Sequence, residues 1–82
     1  MQANPLRKDL QKYLSRHNLD KKFTKQLNYF LTDPTHPSLN TEKVGIKFLE
    51  SYSFRIDRKY RVIFAYNPDE TLEIIDINNH YQ

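Results

Sequence analysis

This 82-residue sequence predicts an α+β fold, an N-terminal helical hairpin packed on one face of a small antiparallel sheet of three to four strands. Three observations predict it. The first 33 residues carry two apolar stripes at helical spacing. From Ser51 onward the pattern changes to period-two alternation of apolar and polar residues. Between the two lies a stretch, Thr32 to Thr41, rich in Pro, Ser, Thr and Asn, which reads as a loop. There is no internal repeat or second apolar cluster, so residues 1–82 are read as a single domain.

Asn4 followed by Pro5 is a helix start, because Asn caps orphan amides and Pro occupies the first helical position, where no donor is needed. Leu6, Leu10, Tyr13 and Leu14 recur at i, i+4, i+7 and i+8, one face of a helix running to about His17. Asp20 is placed to cap a second helix, in which Phe23, Leu27, Phe30 and Leu31 repeat the spacing until Asp33-Pro34 ends it. Such a hairpin cannot bury both stripes within itself and needs a sheet to pack on. Glu42 to Glu50 is open between loop and strand, and three candidate strands follow at about 51–57, 60–66 and 71–78.

The strand registers decide which residues share a face. With Arg58 at the centre of the first hairpin loop, Ile56 faces Tyr60, Phe54 faces Val62, Tyr52 faces Phe64, and Arg55 lies directly opposite Arg61. A register shifted by one residue would mix the faces and lose buried apolar area at about 25 cal/mol per Å². Asn67-Pro68-Asp69-Glu70 has turn chemistry with Pro at the second position. Closing the second hairpin at Tyr66 and Thr71 pairs Phe64 with Glu73, Val62 with Ile75 and Arg61 with Asp76. Ile75 and Ile77 then join the apolar face, while Asp76 and His80 fall on the face of Arg55 and Arg61.

Composition excludes several functional classes. With no cysteine there is neither a disulfide framework nor a thiolate metal site, which fits a reducing cytoplasm. No apolar run approaches the roughly 20 residues that cross a bilayer, so no membrane partner is expected. One glycine rules out a Gly-rich phosphate loop, and no HExxH or similar spacing offers a metal site; neither metal nor cofactor is expected. The net charge of +3 permits nucleic-acid binding without requiring it.

Two arginines opposite one another on a sheet repel unless an anion lies between them. Asp76 as that anion would make a plain surface salt bridge. The alternative is a phosphate site, since the planar guanidinium fork matches phosphate oxygens. His80 is the group on that face whose ordinary pKa lies near neutrality, suited to proton transfer. His17, at a helix end, and His36, in a Pro-flanked loop, have weaker cases. RNA supplies its own nucleophile, the 2′-hydroxyl, so a small basic scaffold needs only a base, an acid and cations on the phosphate.

At this point the sequence resembles a known family. Two helices, His36-Pro37-Ser38-Leu39-Asn40, Tyr52-Ser53-Phe54-Arg55-Ile56, Tyr60-Arg61-Val62-Ile63-Phe64 and Ile75-Asp76-Ile77-Asn78-Asn79-His80-Tyr81 resemble the RelE/ParE toxins of bacterial type II toxin–antitoxin systems, in the RelE/YoeB-like branch. The resemblance implies a ribosome-dependent, metal-independent mRNA endoribonuclease held inactive by a cognate antitoxin, with a homodimer or a heterotetramer with the antitoxin as the candidate assemblies. It implies that Arg61 neutralises the scissile phosphate with Arg55 as its companion, His80 is the general acid, Tyr81 positions the RNA and Glu42 is the base. Lys43, Lys47 and Arg58 are candidate phosphate contacts. The family's first strand is expected to be missing or supplied by a partner, because Met1 to Asn4 is short for one. Two other functions remain open in this superfamily, a ParE-like DNA gyrase inhibitor and an inactive antitoxin-binding co-repressor.

Overall fold

The computed structural model describes residues 1–46 and 49–79. In chain order they form β1 (Gln2–Ala3), α1 (Lys8–Arg16), α2 (Asp20–Thr32), a 3₁₀ turn (Pro37–Leu39), β2 (Glu42–Ile46), β3 (Leu49–Arg55), β4 (Arg61–Tyr66) and β5 (Thr71–Asn78). The strands make one sheet in the order β1-β5-β4-β3-β2, antiparallel except for the parallel β1–β5 pair. The expected α+β class is observed, with five strands in place of three to four. The ambiguous stretch from Glu42 is strand β2, and the first strand is present as two residues on the far edge. None of the described helices is long and apolar enough to cross a membrane.

The amino-terminal segment differs from the sequence reading for a definite reason. Gln2 and Ala3 pair with Thr71 and Leu72, the Asn4 amide donates to the Leu72 carbonyl at 2.8 Å, and the Asn4 side chain donates to Glu73 at 2.9 Å. With its side chain engaged on the sheet, Asn4 cannot cap a helix. α1 therefore starts at Lys8, without a side-chain cap, and Arg7 instead donates to the Ile75 carbonyl at 2.9 Å. Asp20 is the first residue of α2 and not its cap; Asp33 ends the helix as expected.

The first hairpin has the expected register, with Tyr52 opposite Phe64, Phe54 opposite Val62 and Arg55 opposite Arg61. Its turn contains no Gly or Asn and is held by Asp57, whose Oδ1 accepts from the Lys59 and Tyr60 amides at 2.9 Å each. The second hairpin does not close as expected. Tyr66 faces Leu72, Phe64 faces Ile74, and after an irregularity between Phe64 and Ile63 the pairs are Ile63–Asp76, Val62–Ile77 and Arg61–Asn78. Two single-residue insertions produce the shift. Glu70 adopts φ 67° and lengthens the turn by one, and Ile75 is the extra residue of a β-bulge. The bulge changes parity within β5, which allows Leu72, Ile74 and Ile77 all to be buried. Strict alternation could bury Ile75 and Ile77 or Leu72 and Ile74, but not both sets.

The core lies between the helices and one face of the sheet. Leu10 and Leu14 of α1, Leu19 between the helices and Phe23 and Phe30 of α2 pack with Phe54, Val62, Phe64, Leu72, Ile74 and Ile77. Phe30 is stacked on Phe54 at 5.4 Å and meets Phe64 edge-on at 4.7 Å. With this face sealed, polar chemistry is confined to the opposite face and to the sheet's ends.

Candidate functional site

Register and parity put Glu42, Ser53, Arg55 and Arg61 on the face away from the core, since Glu42 pairs with Ser53 and Arg55 with Arg61. Arg61 is 5% exposed, unusually buried for an arginine. Its Nε donates to Ser53 Oγ at 3.0 Å, and one Nη donates to the Asn40 carbonyl at 2.6 Å and the Ser53 carbonyl at 3.3 Å. Among the described residues the other Nη has no such bond, and no buried side-chain nitrogen lacks a partner. That second Nη is the part of the fork without a hydrogen-bond partner among the described residues.

Among the described residues the nearest carboxylate is Glu42, 3.9 Å from the Arg61 guanidinium and 56% exposed on its side chain. Burial lowers the Arg61 pKa, Glu42 opposes that shift, and the positive field of Arg55 adds to it. An arginine remains protonated nonetheless, so the site holds a fixed, partly desolvated cation. Asp76 is not the counter-ion: it pairs with Ile63 and accepts from the Asn78 side chain at 2.9 Å. The expected Arg61–Asp76 pairing is replaced by Arg61–Asn78 through the two insertions in β5.

The remaining sequence candidates scatter. Lys43 pairs with Tyr52, on the core side of the sheet, and its ammonium lies 3.5 Å from Glu50. Arg58 is exposed in the β3–β4 turn, at the end of the sheet where Arg55 lies. Lys47, His80 and Tyr81 lie outside the described residues. β5 ends at Asn78, directly opposite Arg61. His36 stacks on Tyr29 at 4.0 Å and accepts from the Ser38 amide, while His17 lies 3.2 Å from the Tyr60 hydroxyl; neither adjoins Arg61 among the described contacts.

A solved structure of a YoeB/ParE toxin from Agrobacterium tumefaciens aligns with this chain at a TM-score of 0.66 and 18% sequence identity, covering 89% of each chain. The fold is that of a YoeB/ParE toxin. No protein-family model matches the chain, and no curated protein does.

Three residues that position the centre of this YoeB/ParE-like fold escape a reading of the sequence. Gln26, buried on α2, donates to the Ser38 and Arg55 carbonyls at 3.1 and 2.7 Å, tying the 3₁₀ turn to the sheet. Asn40 leaves that turn at φ 45°, a left-handed conformation Asn tolerates, and presents its carbonyl to Arg61. Ser53 is buried beneath the guanidinium. A polar residue on the inner stripe of α2 was the available signal for Gln26, and Ser53 was marked by its place in the Ser-Phe-Arg motif. Nothing in the local sequence identified the Asn40 carbonyl.

Proposed function

We propose that this protein is the toxin of a type II toxin–antitoxin pair, acting as a ribosome-dependent mRNA endoribonuclease. The observation that carries the reading is a buried guanidinium, anchored by Ser53 and Asn40, with a carboxylate at 3.9 Å. Such a cation binds a non-bridging phosphate oxygen and stabilises the charge that builds there during displacement. Arg55 adds positive potential from the neighbouring strand.

In this reading Glu42 takes the proton of the RNA 2′-hydroxyl as that oxygen attacks the adjacent phosphorus. The bond to the 5′-oxygen breaks, and His80 donates the proton that the departing oxygen needs, leaving a cyclic phosphate and a free 5′-hydroxyl. Tyr81 positions the RNA, with Lys47 a further phosphate contact. General acid or base action by such groups contributes about 10²–10⁴-fold each. The fold likeness to a toxin supports a cognate antitoxin as partner, and the outer edge of β2, unpaired among the described strands, is a surface for an antitoxin segment. The site of action is the cytoplasm, on translated messages.

Expression in a bacterium with mapping of transcript ends tests this directly. Cleavage within codons of translated messages, abolished by Arg61→Ala and by His80→Ala, is the expected result. Intact messages accompanied by DNA-damage signalling would instead indicate gyrase inhibition, and neither effect would indicate an antitoxin-binding module.

A further inference from the structure

Where α2, the 3₁₀ turn and the β3–β4 turn meet at the end of the sheet, they enclose an open groove of about 370 Å³. Among the described residues Lys22, Lys25, Arg55 and Arg58 line it, with a single carboxylate residue, Asp57. Asp57 is already engaged, by the Lys59 and Tyr60 amides and by the Lys22 ammonium at 3.2 Å. Lys25, Arg55 and Arg58 have no ion-pair partner among the described residues. Clustered like charge of this kind is a self-repulsion that an anionic ligand removes.

The ligand's chemistry follows from what the groove contains and what it adjoins. Arg55 lines the groove, where its carbonyl accepts from Gln26, and is also the cross-strand partner of Arg61, so one strand links the groove to the candidate phosphate site. A polymer with a charge on every unit can occupy that whole line, whereas a small anion can occupy only one end of it. No aromatic ring among the described residues lines the groove, so contact falls on the backbone. The polar groups a peptide would need are already used: Gln26 bonds to the Ser38 and Arg55 carbonyls, and the Ser38 hydroxyl bonds to Gln26 at 3.3 Å.

We infer that this groove holds the phosphate backbone of single-stranded RNA flanking the phosphate at Arg61, without regard to sequence. The inference rests on the proposed function for its direction along the strand. Binding itself can be measured without cleavage. The probe is a 2′-O-methyl oligonucleotide of roughly 12 nucleotides, within the usual span of single-strand sites, which lacks the nucleophile and cannot be cut.

The full chain carrying Lys22→Gln, Lys25→Gln and Arg58→Gln is compared with a charge-matched control carrying Lys8→Gln, Lys12→Gln and Arg16→Gln. These control residues line a separate surface of α1. Each phosphate contact contributes about 0.7 to the slope of log affinity against log salt for single strands. The groove variant is expected to flatten that slope by about 2 while the control stays near wild type. Equal losses in both variants would mean a net-charge effect and overturn the inference, as would an unchanged slope in the groove variant. Direct binding of polyglutamate by a protein that binds no oligonucleotide would overturn it in favour of an acidic protein partner. Oligonucleotide binding that survives in a chain that cleaves no message would overturn only the nuclease reading. Far-UV circular dichroism of both variants verifies that they are folded.

Discussion

Arg61 is held by two carbonyls and a hydroxyl in a nearly dry setting, and its role depends on the shape of its head group as much as on its charge. Lysine places a point charge there and cannot make the fork of bonds to Ser53 and Asn40. Arg61→Lys is therefore expected to fold, to melt within several degrees of wild type, and to lose cleavage by roughly 10²-fold or more, as judged by transcript-end mapping and thermal unfolding. Asp57 allows a pH prediction. Burial raises its pKa, but the Lys59 and Tyr60 amides and the Lys22 ammonium outweigh burial and leave it below the ordinary 3.8. A depressed folded pKa means that the stabilisation is present above the unfolded pKa and is lost as the pH falls through the lower folded value. Denaturant unfolding should thus show stability falling below about pH 4, and Asp57→Asn, which keeps the turn's acceptor, should remove part of that fall.

Among the elements, the 3₁₀ turn Pro37–Leu39 matters most, because the Asn40 carbonyl that follows it orients Arg61. Gln26 fastens that turn to α2 and β3. Gln26→Leu keeps the volume and removes the donors, leaving two carbonyls without their partner at a cost of about 1–3 kcal/mol. In a domain of this size each kcal/mol lowers the melting temperature by about 4–8 °C. The melting point should fall accordingly, and activity per folded molecule should fall as well, because the turn that presents Asn40 loosens. β5 illustrates what pattern reading can recover. Its existence and span were legible, as was the first hairpin's register, because a single parity there buries Tyr52, Phe54, Val62 and Phe64 together. The second register was not legible, since Leu72, Ile74 and Ile77 can share the core only when Ile75 bulges out. That preference arises from packing across the sheet, which local alternation does not record.

For the molecule as a whole, 82 residues bury a modest core, and one aromatic stack joins its layers. Phe30 of α2 contacts Phe54 and Phe64 from two adjacent strands. Phe30→Ala should cost about 3–5 kcal/mol, a large part of the roughly 5–15 kcal/mol that stabilises a domain, so a far-UV circular dichroism melt should show a transition lowered by well over 10 °C. The sheet's two edges are treated differently. β5 is covered by β1, Asn4 and Arg7, whereas β2 leaves its outer side unpaired among the described strands.

The sequence by itself determined the α+β class, the helical hairpin, the first sheet hairpin and the pairing of Arg55 with Arg61. All of these follow from short-range periodicity and from burying the greatest apolar area. Only the tertiary structure decided that the first strand is present, that β5 bulges, and that Glu42 rather than Asp76 is the carboxylate beside Arg61. It also decided that the Asn40 carbonyl holds that arginine, and that a glutamine on a helix ties down the turn that presents it. Those outcomes depend on contacts between residues distant in the chain, whose geometry exists only once the layers have packed.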